Sequence, residues 1–296
     1  MSLHHHLLAG AYYPLKTFNA LGRRVGILPS NQLRVLLYHD IAPADQANFA
    51  AQLRWLKQSW NFISTRRFEA MISGEEPVKG RNLMLTFDDG FLSNLAVARD
   101  VLNPMGIEAV FFVVSELVGT QNRREAREFI ARNVCPGTHA EKLPAHWSNM
   151  GWSDLEVLLE QGHCIASHTS THARLSAVAS EDALQREIVY GAQQLELRLG
   201  TKVDHFSYTF GDLGSFSKPA FEIARKRFKF IYSGLRGDNA HGVSPFGIRR
   251  DSVAGQDAHS NYSVFSNQLV GALLEGAADA RYRKSLATLD KWARSE

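Results

Sequence analysis

Asn82-Leu83-Met84-Leu85-Thr86-Phe87-Asp88-Asp89-Gly90 is an apolar run that stops on two adjacent carboxylates and a glycine. Leu83, Met84 and Leu85 read as a buried strand. Gly90 permits a sharp exit, because glycine enters left-handed backbone without a Cβ penalty. Asp88 and Asp89 therefore stand at a strand's carboxyl end, where α/β enzymes keep their chemistry. Neighbouring side chains of an extended strand point to opposite faces, so the two serve one site only if the backbone turns there. Buried together, they favour a shared proton or a neutralising cation. The alternative is a solvated loop in which Asp89 caps the following helix.

A second stretch, Gly162-His163-Cys164-Ile165-Ala166-Ser167-His168-Thr169-Ser170-Thr171-His172, ends another short apolar run on two histidines four residues apart. One helical turn or tight loop brings both imidazoles to one side. A single histidine there would read as a polar core residue. Two imidazoles plus a carboxylate from a different strand end make the ligand set of an open metal site with room for water.

TFDDG at 86–90 followed by HTSTH at 168–172 resembles the first two motifs of the polysaccharide deacetylases, the NodB-like carbohydrate esterases of family 4. The resemblance extends to MGWSDLEVLLEQGH at 150–163, GHCIASHTSTHARL at 162–175 and FSYTFG at 206–211, spanning about residues 33–253. It implies an α/β fold, an irregular (β/α)7 barrel, with Asp88 as general base and Asp89, His168 and His172 as metal ligands. Leu37-Tyr38-His39 is similar to the family's Leu-x-His motif and makes His39 the candidate general acid, with a buried structural histidine as the alternative. Phe210 takes the place of the aromatic residue that lines the substrate groove, and Tyr208 is grouped with it. Ser207 and Thr209 stand where better-known members have arginine and proline. The arginine orients the base, so either Arg249 or Arg250 replaces it or Asp88 is held differently; Arg250 is also counted on the substrate side. The tryptophan of the fourth motif is not recognisable around Tyr232 to Arg236.

The implied reaction is metal-dependent removal of N-acetyl groups from an amino-sugar polysaccharide or oligosaccharide. Zn2+ is the default ion for nitrogen and oxygen ligands, with Co2+, Ni2+ or Fe2+ as substitutes. Alternatives are an amidase or O-acetyl esterase on another substrate, and a carbohydrate-binding barrel without turnover, suggested by the absent arginine.

The rest of the chain is consistent with this fold. With 296 residues and 45% hydrophobic content, one domain over 31–296 preceded by an extension over 1–30 is expected. A net charge of +3 from mixed signs lacks the basic stripe of a nucleic-acid binder. Cys135 and Cys164 do not make a disulfide scaffold. No run approaches the roughly 20 apolar residues of a membrane span. The N-terminus shows no uninterrupted apolar segment with a small-residue cleavage site, so a cytoplasmic location is expected. His4, His5 and His6 are assigned no function. Residues 7–30 read as a short helix on the main body, with peripheral membrane association as the alternative.

Strands are expected at Leu33–Tyr38, Phe62–Ser64, Ala109–Val114, His205–Tyr208, Phe230–Ser233 and Gly247–Arg250. Phe49, Leu53, Leu56 and Trp60 form a helical core stripe, and Leu184, Ile188, Ala192, Leu195 and Leu199 a longer one. Further helices are expected over Phe68–Ile72, Asn94–Leu102 and Val264–Leu273, with an amphipathic tail to Trp292. Ser153 and Glu156 suggest a capping box. Residues 117–149 form a long insertion that either covers the site or is a solvated helix. The alternation places His39, Asp88, Asp89, His168, His172 and Phe210 on one rim.

Overall fold

The NLMLTF segment is apolar at consecutive positions because both of its faces are covered. In the computed structural model, which describes residues 3–253 and 265–294, it lies in the third of eight strands: β1 Gln32–Tyr38, β2 Asn61–Phe62, β3 Arg81–Phe87, β4 Ala109–Val113, β5 Cys164–Ser167, β6 His205–Ser207, β7 Phe230–Tyr232 and β8 Asp251–Ser252. Met84 points inward to join Leu33, Val35, Val110, Phe112, Ala166, Tyr232 and Ile248. Leu83, Leu85 and Phe87 point outward, onto a core shared with Phe49, Leu53, Leu56, Leu184, Ile188 and Leu195 of the surrounding helices. A parallel sheet buried on both sides reads in this way.

The order is β7-β6-β5-β4-β3-β1-β8, with β2 alongside the first half of β3. All of these pairings are parallel. The segment after β7 touches both margins: Ile248 bridges Tyr232, and Asp251 and Ser252 pair with Leu36 and Leu37. The curled sheet thereby becomes an irregular barrel. Buried Arg34 of β1 fastens this seam by donating to Asp251 through both Nε and Nη2 at 2.7 Å and to Asp279 at 2.7 Å, while Arg236 reaches Asp251 at 3.1 Å.

Several elements differ from expectation. The closing strand is Asp251–Ser252 rather than Gly247–Arg250, because the earlier residues are spent crossing from β7 to β1. The N-terminal extension forms two helices, Leu3–Gly10 and Tyr12–Arg24. Pro14 falls in the first turn of the second, where its missing N–H is not needed. The helix Trp152–Glu160 is capped at Gly151, whose N–H donates to Asp154 Oδ2 at 2.8 Å, rather than through Ser153 and Glu156. The helix expected over Val264–Leu273 runs Asn267–Leu274, and Val264 lies outside the described residues. The tail helix Arg283–Arg294 buries Leu286, Leu289 and Ala293.

Candidate active site

β3 ends at Phe87, and the next residues leave the strand by a left-handed turn, with Asp89 at φ 74° and Gly90 at φ 78°. That turn brings two successive carboxylates to one side. Non-glycine residues with positive φ are uncommon and costly, and they cluster where function demands them. Among the described residues they are Asp89, Thr169, His172 and Phe210, which come from three separate loops and meet at the carboxyl ends of β3, β5 and β6.

His168 follows β5, and its Nδ1 donates to the Ser207 carbonyl at 2.9 Å. His172 Nδ1 donates to the Asn133 carbonyl at 2.9 Å. Since a carbonyl only accepts, both protons are fixed on Nδ1 and both Nε2 atoms are aimed elsewhere. They face Asp89 Oδ1, at 3.5 Å from His168 and 3.3 Å from His172. That oxygen is buried and has no hydrogen-bond partner. One atom from each of the three residues can be chosen so that all lie within 4.8 Å of one another. Lone pairs converging in a buried space require a positive charge among them, either a proton or a cation. Two imidazole nitrogens and a carboxylate, with each imidazole oriented by a backbone carbonyl, fit a divalent metal ion.

The electrostatics agree. Burial pushes the Asp89 carboxyl up, but His168 and His172, with a smaller contribution from His39, outweigh it and hold Asp89 well below its usual range. Burial would depress the His168 imidazole, but Asp88 and Asp89 outweigh it and raise it. A proton on His168 Nε2 would exclude a metal ion from that nitrogen.

Asp88 is held from below. Arg250 donates to Asp88 Oδ1 at 2.7 Å and Oδ2 at 2.8 Å, to Ser207 Oγ at 2.5 Å and to the Ser233 carbonyl at 2.9 Å. Of the two candidate arginines, Arg250 therefore orients Asp88, while Arg249 turns outward to Asp290 at 3.0 Å. At 1% exposure Arg250 has no surface left toward the rim, which corrects its placement on the substrate side. The small residue at 207 leaves room for this guanidinium, which arrives from a different part of the chain.

Tyr208 also departs from expectation. Ser207 points inward to Arg250, so its neighbour points outward, where Tyr208 stacks on Phe216 at 3.7 Å between ring centroids and packs against Phe206. It is 1% exposed and belongs to the outer core rather than the groove. Phe210 is half-buried on the rim, 4.9 Å from the His172 ring, with Arg174 over its ring at 4.6 Å. His39 is half-buried just past the end of β1.

Three supports of the site carry no sequence signal of their own. Asp40 accepts from Ser93 Oγ at 2.6 Å, His146 Nε2 at 2.7 Å and Trp147 Nε1 at 2.9 Å, tying the long insertion down beside His39. The same insertion supplies Asn133, whose carbonyl lies in a π-turn, Ile130–Val134, and orients His172. A second π-turn, Arg186–Tyr190, presents Glu187 to the histidine loop: its carbonyl accepts from Ser170 N at 2.9 Å and its carboxylate from Thr171 N at 2.9 Å. Gly191 lets that helix approach, since a Cβ there would lie 2.9 Å from Ser170 N. Wide turns of this kind recur at functional sites. The insertion therefore supports the candidate site through Asn133, His146 and Trp147, while its helix Arg123–Phe129 keeps one solvated face.

Comparison with known proteins agrees with this architecture. The family model for polysaccharide deacetylase matches residues 75–226. YxkH of Bacillus subtilis (strain 168), a protein assigned to the polysaccharide deacetylases, is 20% identical over 156 residues, 51% of this chain and 47% of that one. The chain thus spans about half the length of this curated relative. Among solved structures, IcaB from Ammonifex degensii superposes with a TM-score of 0.64 at 23% identity, covering 83% of this chain and 97% of that one. The Streptococcus pyogenes deacetylase PplD, solved in complex with acetate, gives 0.58 at 19% identity over 78% and 96%. These structural likenesses establish the fold, and the family model covers both carboxylates, both histidines and Phe210. On that match, this chain belongs to the polysaccharide deacetylase family.

Proposed function

We propose that the chain is a metal-dependent hydrolase that removes N-acetyl groups from an amino-sugar polysaccharide or oligosaccharide. The observation that carries this reading is the pairing of two unlike carboxylates. Asp89 offers a buried, partnerless oxygen to two oriented imidazoles, while its neighbour Asp88 is held by a buried arginine. A shell that only bound a metal ion would need Asp89 and the histidines but no second carboxylate with a dedicated cation beneath it.

Asp89, His168 and His172 hold the ion, with Zn2+ the first expectation for two nitrogens and an oxygen and Co2+, Ni2+ or Fe2+ as substitutes. A divalent cation held by these residues would supply a Lewis acid for the acetyl carbonyl and would lower the pKa of a water molecule. Asp88 removes the proton from the attacking water, and the Arg250 fork keeps its carboxylate aimed for that task. His39 delivers a proton to the departing sugar nitrogen, so that amide C–N cleavage releases acetate and a free amine. Phe210, stiffened by Arg174 and the His172 ring, walls the groove.

Acetate release from chitooligosaccharides and from peptidoglycan fragments tests the reading. Asp88→Asn should lose turnover on whichever substrate the wild type deacetylates while retaining its metal ion; undiminished release by this variant contradicts the mechanism.

A further inference from the structure

Six of the ten large apolar side chains exposed among the described residues lie in one short stretch: Leu7, Tyr13, Phe18, Leu21, Val25 and Ile27. Their exposure is high, 70% at Phe18 and 78% at Ile27. Scattered surface leucines are ordinary, whereas a contiguous apolar patch marks an interaction surface.

This stretch is not loosely attached. The opposite face of the helix Tyr12–Arg24 is pinned to the domain. The Tyr12 ring packs on Trp55 at 5.7 Å and closely over Gly271, Asn19 Nδ2 donates to the Glu275 carbonyl at 2.9 Å, and Arg23 pairs with the Glu275 carboxylate. Residues 12, 19 and 22 are buried. With one face fixed, the positions spaced three and four apart on the other, 14, 18, 21 and 25, must point to solvent.

Charge identifies what covers them. From Met1 to His39 the sequence contains no aspartate or glutamate, and its cations are Lys16, Arg23, Arg24 and Arg34. Lys16 and Arg24 are exposed on the flanks of the apolar stripe. A fixed helix with aromatic and aliphatic side chains outward, exposed cations beside them and no acid of its own complements an anionic lipid surface. A soluble protein partner would more commonly meet a mixed-charge rim.

We infer that residues 7–27 dock the protein on the surface of an anionic phospholipid bilayer, with Phe18, Leu21 and their neighbours inserted at the headgroup boundary. The anchoring contacts reach Gln32 and Arg81, the first residues of β1 and β3. Docking therefore uses the end of the barrel opposite the carboxylates, a strand length of roughly 20 Å away, and leaves the catalytic rim open to a polymer.

Vesicle flotation with the full chain tests this. The wild type should float with phosphatidylglycerol–phosphatidylcholine vesicles and not with phosphatidylcholine alone. Phe18→Ser with Leu21→Ser should weaken partitioning at least about tenfold, from the lost apolar insertion. Lys16→Glu with Arg24→Glu, at two exposed positions of which Lys16 lies 5.6 Å from the Tyr12 ring centroid, should weaken it about 30-fold or more, from the lost attraction of two cations. The inference is overturned if the wild type stays in the soluble fraction. It is equally overturned if the charge-reversed variant floats like the wild type, or if sedimentation shows a dimer that the serine variant abolishes while no vesicle is bound.

Discussion

Replacing Arg250 with methionine removes a fork of two hydrogen bonds, at 2.7 and 2.8 Å, from a carboxylate whose side chain is 4% exposed. Methionine fills much of the volume but leaves the Asp88 carboxylate buried without its arginine, with His168 Nε2 at 3.7 Å as its remaining cationic neighbour. Deleting one partner of a buried ion pair costs about 3–5 kcal/mol, and the carboxylate loses the fork that aims it as a base. Turnover should fall by about 10²–10⁴-fold, the usual worth of a positioned general base. Arg250→Lys should restore charge without the fork and recover little. Asp88→Asn combined with Arg250→Met should be more stable than Arg250→Met alone, since neither charge is then stranded. Denaturant midpoints for the wild type, Asp88→Asn, Arg250→Met and the double variant, alongside acetate release from these and from Arg250→Lys, measure both consequences. Wild-type turnover in Arg250→Met, or strictly additive stabilities, would refute the claim that Arg250 acts through Asp88.

His168→Ala or His172→Ala should each lower bound metal by at least about tenfold, by elemental analysis, because each leaves a ligand short. His39→Ala should keep its metal and lose turnover; full activity removes His39 from the mechanism. His163 gives a pH effect outside the site. Its buried ring accepts from Ala109 N at 3.2 Å and contacts Asn103 at 3.0 Å, and burial pushes it down from 6.5 to about 4. The unfolded chain then binds the extra proton, so this contribution is fully present above pH 6.5 and drains away as the pH falls toward 4. Its size is about 3 kcal/mol. His163→Gln should flatten that part of the stability curve, and parallel curves would rule it out.

The parts of the site written in adjacent residues are legible in the sequence. Asp88 and His168 close two short, largely apolar runs, and Asp89 and His172 come one and four residues later, so the ends of two strands locate all four from residue order alone. Supports that cross the chain are not legible in this way. Arg250 lies 162 residues from Asp88, and nothing in GIRRDSV distinguishes it from Arg249; only the small volume at Ser207 hints that a long side chain must enter there. The Asn133 carbonyl is invisible in sequence because every residue carries one. The Glu187 carbonyl is freed by a π-turn, which apolar spacing does not reveal. Tyr208 is misplaced when motif position outweighs strand alternation, which sends it outward once Ser207 faces in. His39 and Arg250 both lie outside the stretch matched by the family model; the parallel closure of β8 on β1 brings Arg250 beneath the rim on which His39 stands.

The most direct measurement follows acetate release and bound metal together as Zn2+ is returned to the chelator-treated chain. Release should be lost on chelation and rise in proportion to occupancy, reaching its plateau at about one ion per chain, as expected of a single three-ligand site. Undiminished release from protein shown by elemental analysis to hold no divalent ion would contradict the central claim that Asp89, His168 and His172 hold the cation on which hydrolysis depends.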